Sequence, residues 1–156
     1  FNLLHFFVLG EHIFQEALRY KYSLAALMID ADFFKQVNDR HGHAVGDQVL
    51  QSLAEHLQSH LRSADVLGRY GGEEFAILMP HTNIDDALQA AERLRLHVGE
   101  TLVETVAGTI QLTLSIGVAG FDPQKHATVD VLIDSADRAM YAAKQAGRNQ
   151  VCVISP

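Results

Sequence analysis

The chain has one cysteine, three prolines, few basic residues and no long apolar run. The lone thiol, Cys152 in a strand-like VCVI tail, excludes a disulfide framework and fits a buried side chain in a reducing, cytoplasmic compartment. The longest apolar stretches, Leu3 to Leu9 and Ser23 to Ile29, fall far short of the roughly 20 residues that cross a bilayer, and no signal peptide is evident. No direct membrane span is therefore expected. Lys and Arg number 12 against 19 Asp and Glu, a net charge of −7 with a pI near 5.6. Nucleic-acid surfaces gather Lys and Arg on one face, so that partner class is excluded. Repeats and low-complexity segments are missing too. What remains is 156 residues, 48% hydrophobic and 20% charged, enough for one core and too few for two. One domain over residues 1–156 is expected. The chain begins at Phe1 rather than methionine, which reads as a piece of a larger signalling protein, with sensor or membrane-anchoring domains outside it.

The hydrophobic pattern alternates helices and strands in the α/β manner. Leu3 to Tyr20 reads as a helix. Ser23 to Ile29 is a continuous apolar run suited to a strand buried on both faces. A helix follows over Phe33 to Arg40. From Gly46 to Ser63, Val49, Leu50, Leu53, Leu57 and Leu61 recur at helical spacing and predict a stripe against a sheet. His56 and His60 fall on the other side and read as a solvated face, since HExxH spacing is absent. His41 and His43 in the preceding loop read the same way. A hairpin over Asp65 to Pro80 and a helix from Ile84 to about Val98 come next. Strands are expected at Leu102 to Val106 and at Ile110 to Ala119, joined at Ala107-Gly108. The last helix, Thr128 to Ala146, stops at Gly147, suited to a left-handed C-cap, and Gln150 to Ile154 closes the sheet.

Two places in this pattern carry chemistry. Tyr70-Gly71-Gly72-Glu73-Glu74-Phe75 is a hairpin tip with two carboxylates, where the Gly-Gly pair predicts the positive φ of a tight primed turn and lets a ligand approach the backbone. Acidic side chains there attract a metal, which makes sense if a Mg²⁺-nucleotide arrives. The Ser23 to Ile29 strand ends in Asp30-Ala31-Asp32, at the carboxyl end where open α/β sheets bind ligands. Asp30 is the stronger metal candidate, while Asp32 is as much an N-cap for the next helix as a ligand.

Taken in order, DADFFKQVND, HGHAVGD, RYGGEEF, LSIGVA and ADRAMYAAKQAGRN resemble the GGDEF family of diguanylate cyclases over about residues 14 to 154. The resemblance implies an α/β (α+β) fold of the nucleotidyl-cyclase kind: a central mixed, largely antiparallel five-stranded sheet flanked by helices, with a catalytic β-hairpin. It implies condensation of two GTP molecules into cyclic di-GMP, each 3′-hydroxyl attacking the other nucleotide's α-phosphate and releasing pyrophosphate, in a homodimer. Asp30 and Glu73, with the carbonyl of Ala31, match the ligands of two Mg²⁺ ions per GTP, with Mn²⁺ as an alternative. Glu73 also matches the group that helps ionise the 3′-hydroxyl. Glu74 is a further metal candidate or a surface acid. Lys35 and the Phe33 and Phe34 N–H groups face the phosphates, and Lys144 and Arg148 match the positions that hold the terminal ones, unless they only complement a helix dipole. Gly71 and Gly72 match the nucleotide-facing turn.

Guanine presents donors at N1 and N2 and an acceptor at O6, which an amide and a carboxylate read. Asn38 and Asp47 match those positions, and Asp47 is also a candidate N-cap for a helix starting near Gln48. Arg62 and Asp65, with five residues between Asp65 and Gly71, match the family's RxxD product-inhibition site, with Arg93 as its second arginine; the bland alternative is a surface ion pair. One segment departs from the family. The opening DxLTxLxNRRxF is replaced by LLHFFVLGEHIF at Leu3 to Phe14, which places in question the usual packing of that segment and offers an apolar helix for a partner or another copy. The reading is a GTP-dependent diguanylate cyclase; a non-catalytic GGDEF module that binds GTP or cyclic di-GMP is the runner-up. A DxD phosphohydrolase would leave GGEEF unexplained.

Overall fold

The computed structural model describes residues 3–154; residues 1, 2, 155 and 156 of the expected 1–156 domain lie outside the described residues. Helix α1 (Leu3–Tyr20) leads into β1 (Leu24–Ala31), then α2 (Phe34–His41), α3 (His43–Ser59), β2 (Val66–Arg69) and β3 (Glu74–Pro80). They are followed by α4 (Ile84–Glu100), β4 (Leu102–Thr105), β5 (Gly108–Gln111), β6 (Leu114–Gly120), α5 (Val129–Gln145) and β7 (Gln150–Val153). The main sheet has the order β2-β3-β1-β6-β7 and is antiparallel except for the parallel β6–β7 pair. The fold is the expected α+β arrangement, with helices on both faces.

Strand β1 shows why. All eight of its residues are buried, and because side chains alternate across a strand it feeds two cores. Ala25, Leu27 and Ile29 pack with α3 and α4 through Val49, Leu53 and Leu94. Leu24, Ala26 and Met28 pack with α1 and α5 through Phe14, Leu132 and Met140. Each fully buried Leu or Ile is worth about 1.5–3 kcal/mol, and a one-residue slip would exchange the two faces. The register that places Asp30 beside Glu74 and Ser115 is thereby enforced by apolar burial. The atypical α1 joins in: Phe6, Gly10, Phe14 and Ala17, at helical spacing, are buried against this sheet, while Leu4 and Val8 face outward. Phe7 reaches the hairpin, its ring centroid 5.9 Å from that of Tyr70.

Several expectations need correction. Helix α3 begins at His43, not near Gln48, because Gly42 with φ 88° needs only one residue to separate it from α2. Asp47 therefore sits inside the helix and is not its N-cap. Phe33 precedes α2 in the left-handed region, φ 57°, so Asp32 is not the cap either. The strand expected over Ile110 to Ala119 is two: β5 pairs only with β4 in a separate ribbon, and the chain bends at Thr113, whose carbonyl accepts from the Asp32 N–H at 2.9 Å. The β4–β5 turn falls at Val106-Ala107, with Gly108 (φ 102°) opening β5. Gly71 and Gly72 are not among the positive-φ residues, so no primed turn forms there; the Arg69 guanidinium instead holds the Gly71 and Gly72 carbonyls, the latter at 2.7 Å. Gly147, φ 119°, ends α5 as expected, with the Arg148 N–H bonded to the Ala143 carbonyl at 3.0 Å.

Candidate active site

Asp30 is the last residue but one of β1, paired with Glu74 of β3 and Ser115 of β6. The Glu73 carbonyl accepts from the Ala31 N–H at 3.3 Å, so Asp30, Ala31 and Glu73 occupy neighbouring rungs. They open onto a cleft of about 260 Å³ that also takes in Lys35, Lys144 and Arg148, over the turn at Phe33 and Phe34. Asp30 is 4% exposed, and its one ion-pair partner is Lys144, from the last turn of α5. Burial pushes the Asp30 carboxyl above the usual range; the Lys144 hydrogen bond and charge pull it back, and Glu73 and Asp32 push it up again. Glu74 points across the strand from Glu73 and lines a separate cavity of about 560 Å³ with Tyr70, Asp130, Asp134 and Asp137. Burial, then the charges of Asp30 and Asp137, raise its carboxyl as well.

The turn between β1 and α2 lines this cleft. The first N–H groups of a helix have no intrahelical acceptor, and the left-handed Phe33 leads the chain into α2. Phe33 is 55% exposed, and the Arg148 guanidinium lies 4.9 Å from its ring centroid. Asn38, one turn further along α2, packs on Gly46: a Cβ there would stand 1.8 Å from the Asn38 Oδ1, which is buried without a partner. Gly46 thus lets α2 and α3 come together, and the next residue, Asp47, is exposed. At the hairpin tip the opposite holds. A Cβ on Gly72 would meet nothing within 4 Å, and on Gly71 only ordinary contacts with Glu74. Among the described residues no contact demands glycine at those positions.

Arg62, Asp65 and Arg93 line another cavity, of about 250 Å³, with His60, His81 and Thr82. The Asp65 carboxylate, with 3% side-chain exposure, accepts from the Arg62 N–H at 2.9 Å and from Arg62 Nη2 at 3.0 Å. Arg62 Nη2 also donates to the Pro80 carbonyl at 2.9 Å and to Thr82 Oγ1. The pair is part of the frame rather than a loose surface contact.

Among the described residues no three His, Cys, Asp or Glu side chains converge as a metal cluster; Asp30 and Glu73 are two carboxylates beside a backbone carbonyl. The sequence profile described as "Diguanylate cyclase, GGDEF domain" matches residues 2–150, nearly the whole chain. The chain belongs to the GGDEF family. Diguanylate cyclase A of Treponema denticola is 40% identical over 154 residues, covering 96% of this chain and 41% of that protein. The structure of the active GGEEF domain of a diguanylate cyclase from Vibrio cholerae superposes with a TM-score of 0.91 at 32% identity, covering 99% of this chain and 97% of that one. The GGDEF domain of DgcB from Caulobacter crescentus, solved in complex with c-di-GMP, gives 0.88 at 28% identity, covering 95% and 85%. The chain spans less than half the length of its Treponema relative.

Within this GGDEF domain the main surprise is Asp32. Its carboxylate, in a residue 5% exposed, accepts from Ser115 Oγ at 2.6 Å, Thr113 Oγ1 at 2.7 Å and the Asn149 N–H at 3.0 Å. Its partners lie 81 to 117 residues away, so no local pattern could have found them. Arg95 and Asn149 carry no sequence signal either, yet Arg95 Nη1 donates to Asn149 Oδ1 at 2.9 Å. His56 corrects the expected solvated face: its ring lies 4.8 Å from His97 of α4, and its Nε2 is buried.

Proposed function

We propose that this domain condenses two GTP molecules into cyclic di-GMP with release of pyrophosphate, acting when two copies meet so that each 3′-hydroxyl reaches the other's α-phosphate. The observation that carries this reading is the buried Asp30 beside Glu73, a negative site answered by the single ammonium of Lys144. A carboxylate pair with an adjacent carbonyl is a hard-oxygen set suited to Mg²⁺, and to Mn²⁺ by the same chemistry. Asp30, Glu73 and the Ala31 carbonyl would hold the ions, which neutralise phosphate charge and polarise the reacting oxygens. Glu74, in its separate cavity, acts at most through charge.

The remaining tasks fall to named groups. Glu73 takes the proton of the 3′-hydroxyl. Lys35, the Phe33-Phe34 backbone and Arg148 receive the phosphates, and Lys144 exchanges its Asp30 contact for them when the ions arrive. The Asn38 amide and the Asp47 carboxylate read the acceptor and donor edges of guanine. Gly71 and Gly72 leave room for the nucleotide at the tip. Arg62, Asp65 and Arg93 bind the product, in keeping with the c-di-GMP complex of the DgcB relative. The atypical N-terminal segment packs as a sheet-covering helix, and a non-catalytic GGDEF module that binds GTP or cyclic di-GMP is the second reading. No helix among the described residues is long and apolar enough to cross a membrane, and a cytoplasmic location suits a GTP-consuming domain. The test is incubation with GTP and Mg²⁺ or Mn²⁺, followed by chromatography: cyclic di-GMP is expected, and GTP binding with no product under either metal would convert the enzyme into a binding module.

A further inference from the structure

After α5 the chain runs through three successive residues with positive φ: Gly147 at 119°, Arg148 at 65° and Asn149 at 46°. Glycine accepts this freely. For a residue with a Cβ the left-handed region is disfavoured and persists only where the surroundings over-determine it. Here two clamps close on Asn149. Its N–H donates to Asp32 Oδ2, and its side-chain and backbone oxygens accept from Arg95 Nη1 at 2.9 and 3.3 Å. Each clamp is anchored in turn. Asp32 is tied to Ser115 of β6 and to Thr113 just before that strand, and the Arg95 guanidinium is gripped by both oxygens of Glu92 on the same face of α4.

The residue between the C-cap and the clamped asparagine is Arg148, whose guanidinium stands over the Phe33 ring at the cleft. We infer that Asp32 and Arg95 are positioning residues that hold Arg148 in the left-handed geometry in which it meets the terminal phosphates of the nucleotide. Asp32 thereby parts company with Asp30, two residues away. Its Oδ1 is taken by Ser115, and its Oδ2 by Thr113 and Asn149, so its carboxylate serves the frame rather than a metal. Arg95 acts from a different helix, through Asn149, without touching the cleft. The inference rests on the proposal that Arg148 is a phosphate-binding group.

The experiment compares calorimetric affinities for 3′-deoxy-GTP, which cannot condense, and for GMP, which lacks the terminal phosphates, both with Mg²⁺. Arg148→Ala should lower the triphosphate-to-GMP affinity ratio by about tenfold, the loss of a charge-assisted contact. Arg95→Ala and Asp32→Asn should lower the same ratio by about fivefold or more with GMP binding unchanged, and Arg95→Ala should add nothing in the Arg148→Ala background. Equal losses for both nucleotides, an unchanged ratio in Arg95→Ala, or additive effects in the double variant would overturn the positioning role. Should Asp32→Asn fail to fold, the partly exposed Arg95 decides alone. An unchanged ratio in Arg148→Ala itself would instead sink the phosphate-binding reading, and the inference with it.

Discussion

Strand β3 has a buried carboxylate paired with a base at each end, and the two pairs are built differently. At its start, beside Glu74, Asp30 meets Lys144; at its finish, beside Pro80, Asp65 meets Arg62. Seven residues at about 3.3 Å each put them roughly 20 Å apart. Asp65 receives three contacts from one residue, the Arg62 N–H, Nε and Nη2, and Arg62 is fastened again to Pro80 and Thr82. Asp30 has a single ammonium, that of Lys144, and two like-charged neighbours, Glu73 and Asp32. The pair that frames the fold meets its charge with several donors of one residue, whereas the pair proposed to receive a cation leaves the charge partly unanswered. Because Arg62 is 56% exposed on its side chain, its remaining guanidinium edge is open to a ligand.

The largest expected effect separates the two ends by activity. Glu73→Gln and Asp30→Asn should each lower cyclic di-GMP formation by at least about a hundredfold, since the amide supplies neither ligand charge nor a proton acceptor. The ligand-free fold should not suffer. Asp30 has its folded pKa raised by burial, so the stability it contributes is present below the ordinary carboxylate range and is lost as pH rises through the raised value. At neutral pH its ionised form is a cost, and Asp30→Asn should melt at or above the parent temperature, with the difference vanishing in acid. Near-parental turnover in either variant would remove that residue from the chemistry.

At the other end the pattern should invert. Asp65→Asn breaks a buried pair and should cost about 1–3 kcal/mol of unfolding free energy, read by denaturant titration, while initial turnover of the folded fraction persists. Arg62→Ala should weaken c-di-GMP binding by about tenfold or more and relieve late-stage slowing of a GTP time course. Unchanged product affinity would reduce the RSAD corner to a framing ion pair, and the contrast along β3 would become one between chemistry and structure alone.

How legible these ends were in the sequence depended on how local their causes are. Periodicity found the helices to within a few residues, because burying one face is written every third or fourth position. The all-buried β1 and the site of Asp30 at its end followed from a single apolar run. Asp32 was misjudged because its role depends on Thr113, Ser115 and Asn149 arriving from distant segments. The break between β5 and β6 was missed for the same reason: Thr113 is turned aside by β1, not by any glycine or proline of its own. Gly71 and Gly72 suggest backbone freedom in sequence, yet neither takes a positive φ and neither is crowded where a Cβ would stand. His56 looked solvated on a helical wheel, since the wheel does not contain His97.

That histidine group supplies the smallest and last test of the comparison. His56 Nε2 is buried without a partner, and the rings of His60 and His97 lie 6.2 and 4.8 Å from it at the end of α3. Burial pushes the His56 pKa below the ordinary value, and the charges of His97 and His60 push it further the same way. A histidine lowered in the folded state stabilises fully above its unfolded value of about 6.5, and that contribution is lost as pH falls through the lowered value. His60 also lines the Arg62, Asp65 and Arg93 cavity, whereas no histidine lines the Asp30 cleft. Acidification should therefore loosen the RSAD end of β3 before the nucleotide end. His126, held low by burial near Ser135, adds a share of the same sign elsewhere, so the informative quantity is the difference between the parent and His56→Gln. The parent's melting temperature should fall more steeply than the variant's below about pH 6.5, and the pH dependence of its c-di-GMP affinity should be reduced in His56→Gln. Parallel melting curves would show that the His56 ring titrates without consequence, and a pH dependence of c-di-GMP affinity unchanged by His56→Gln would detach that ring from the RSAD end.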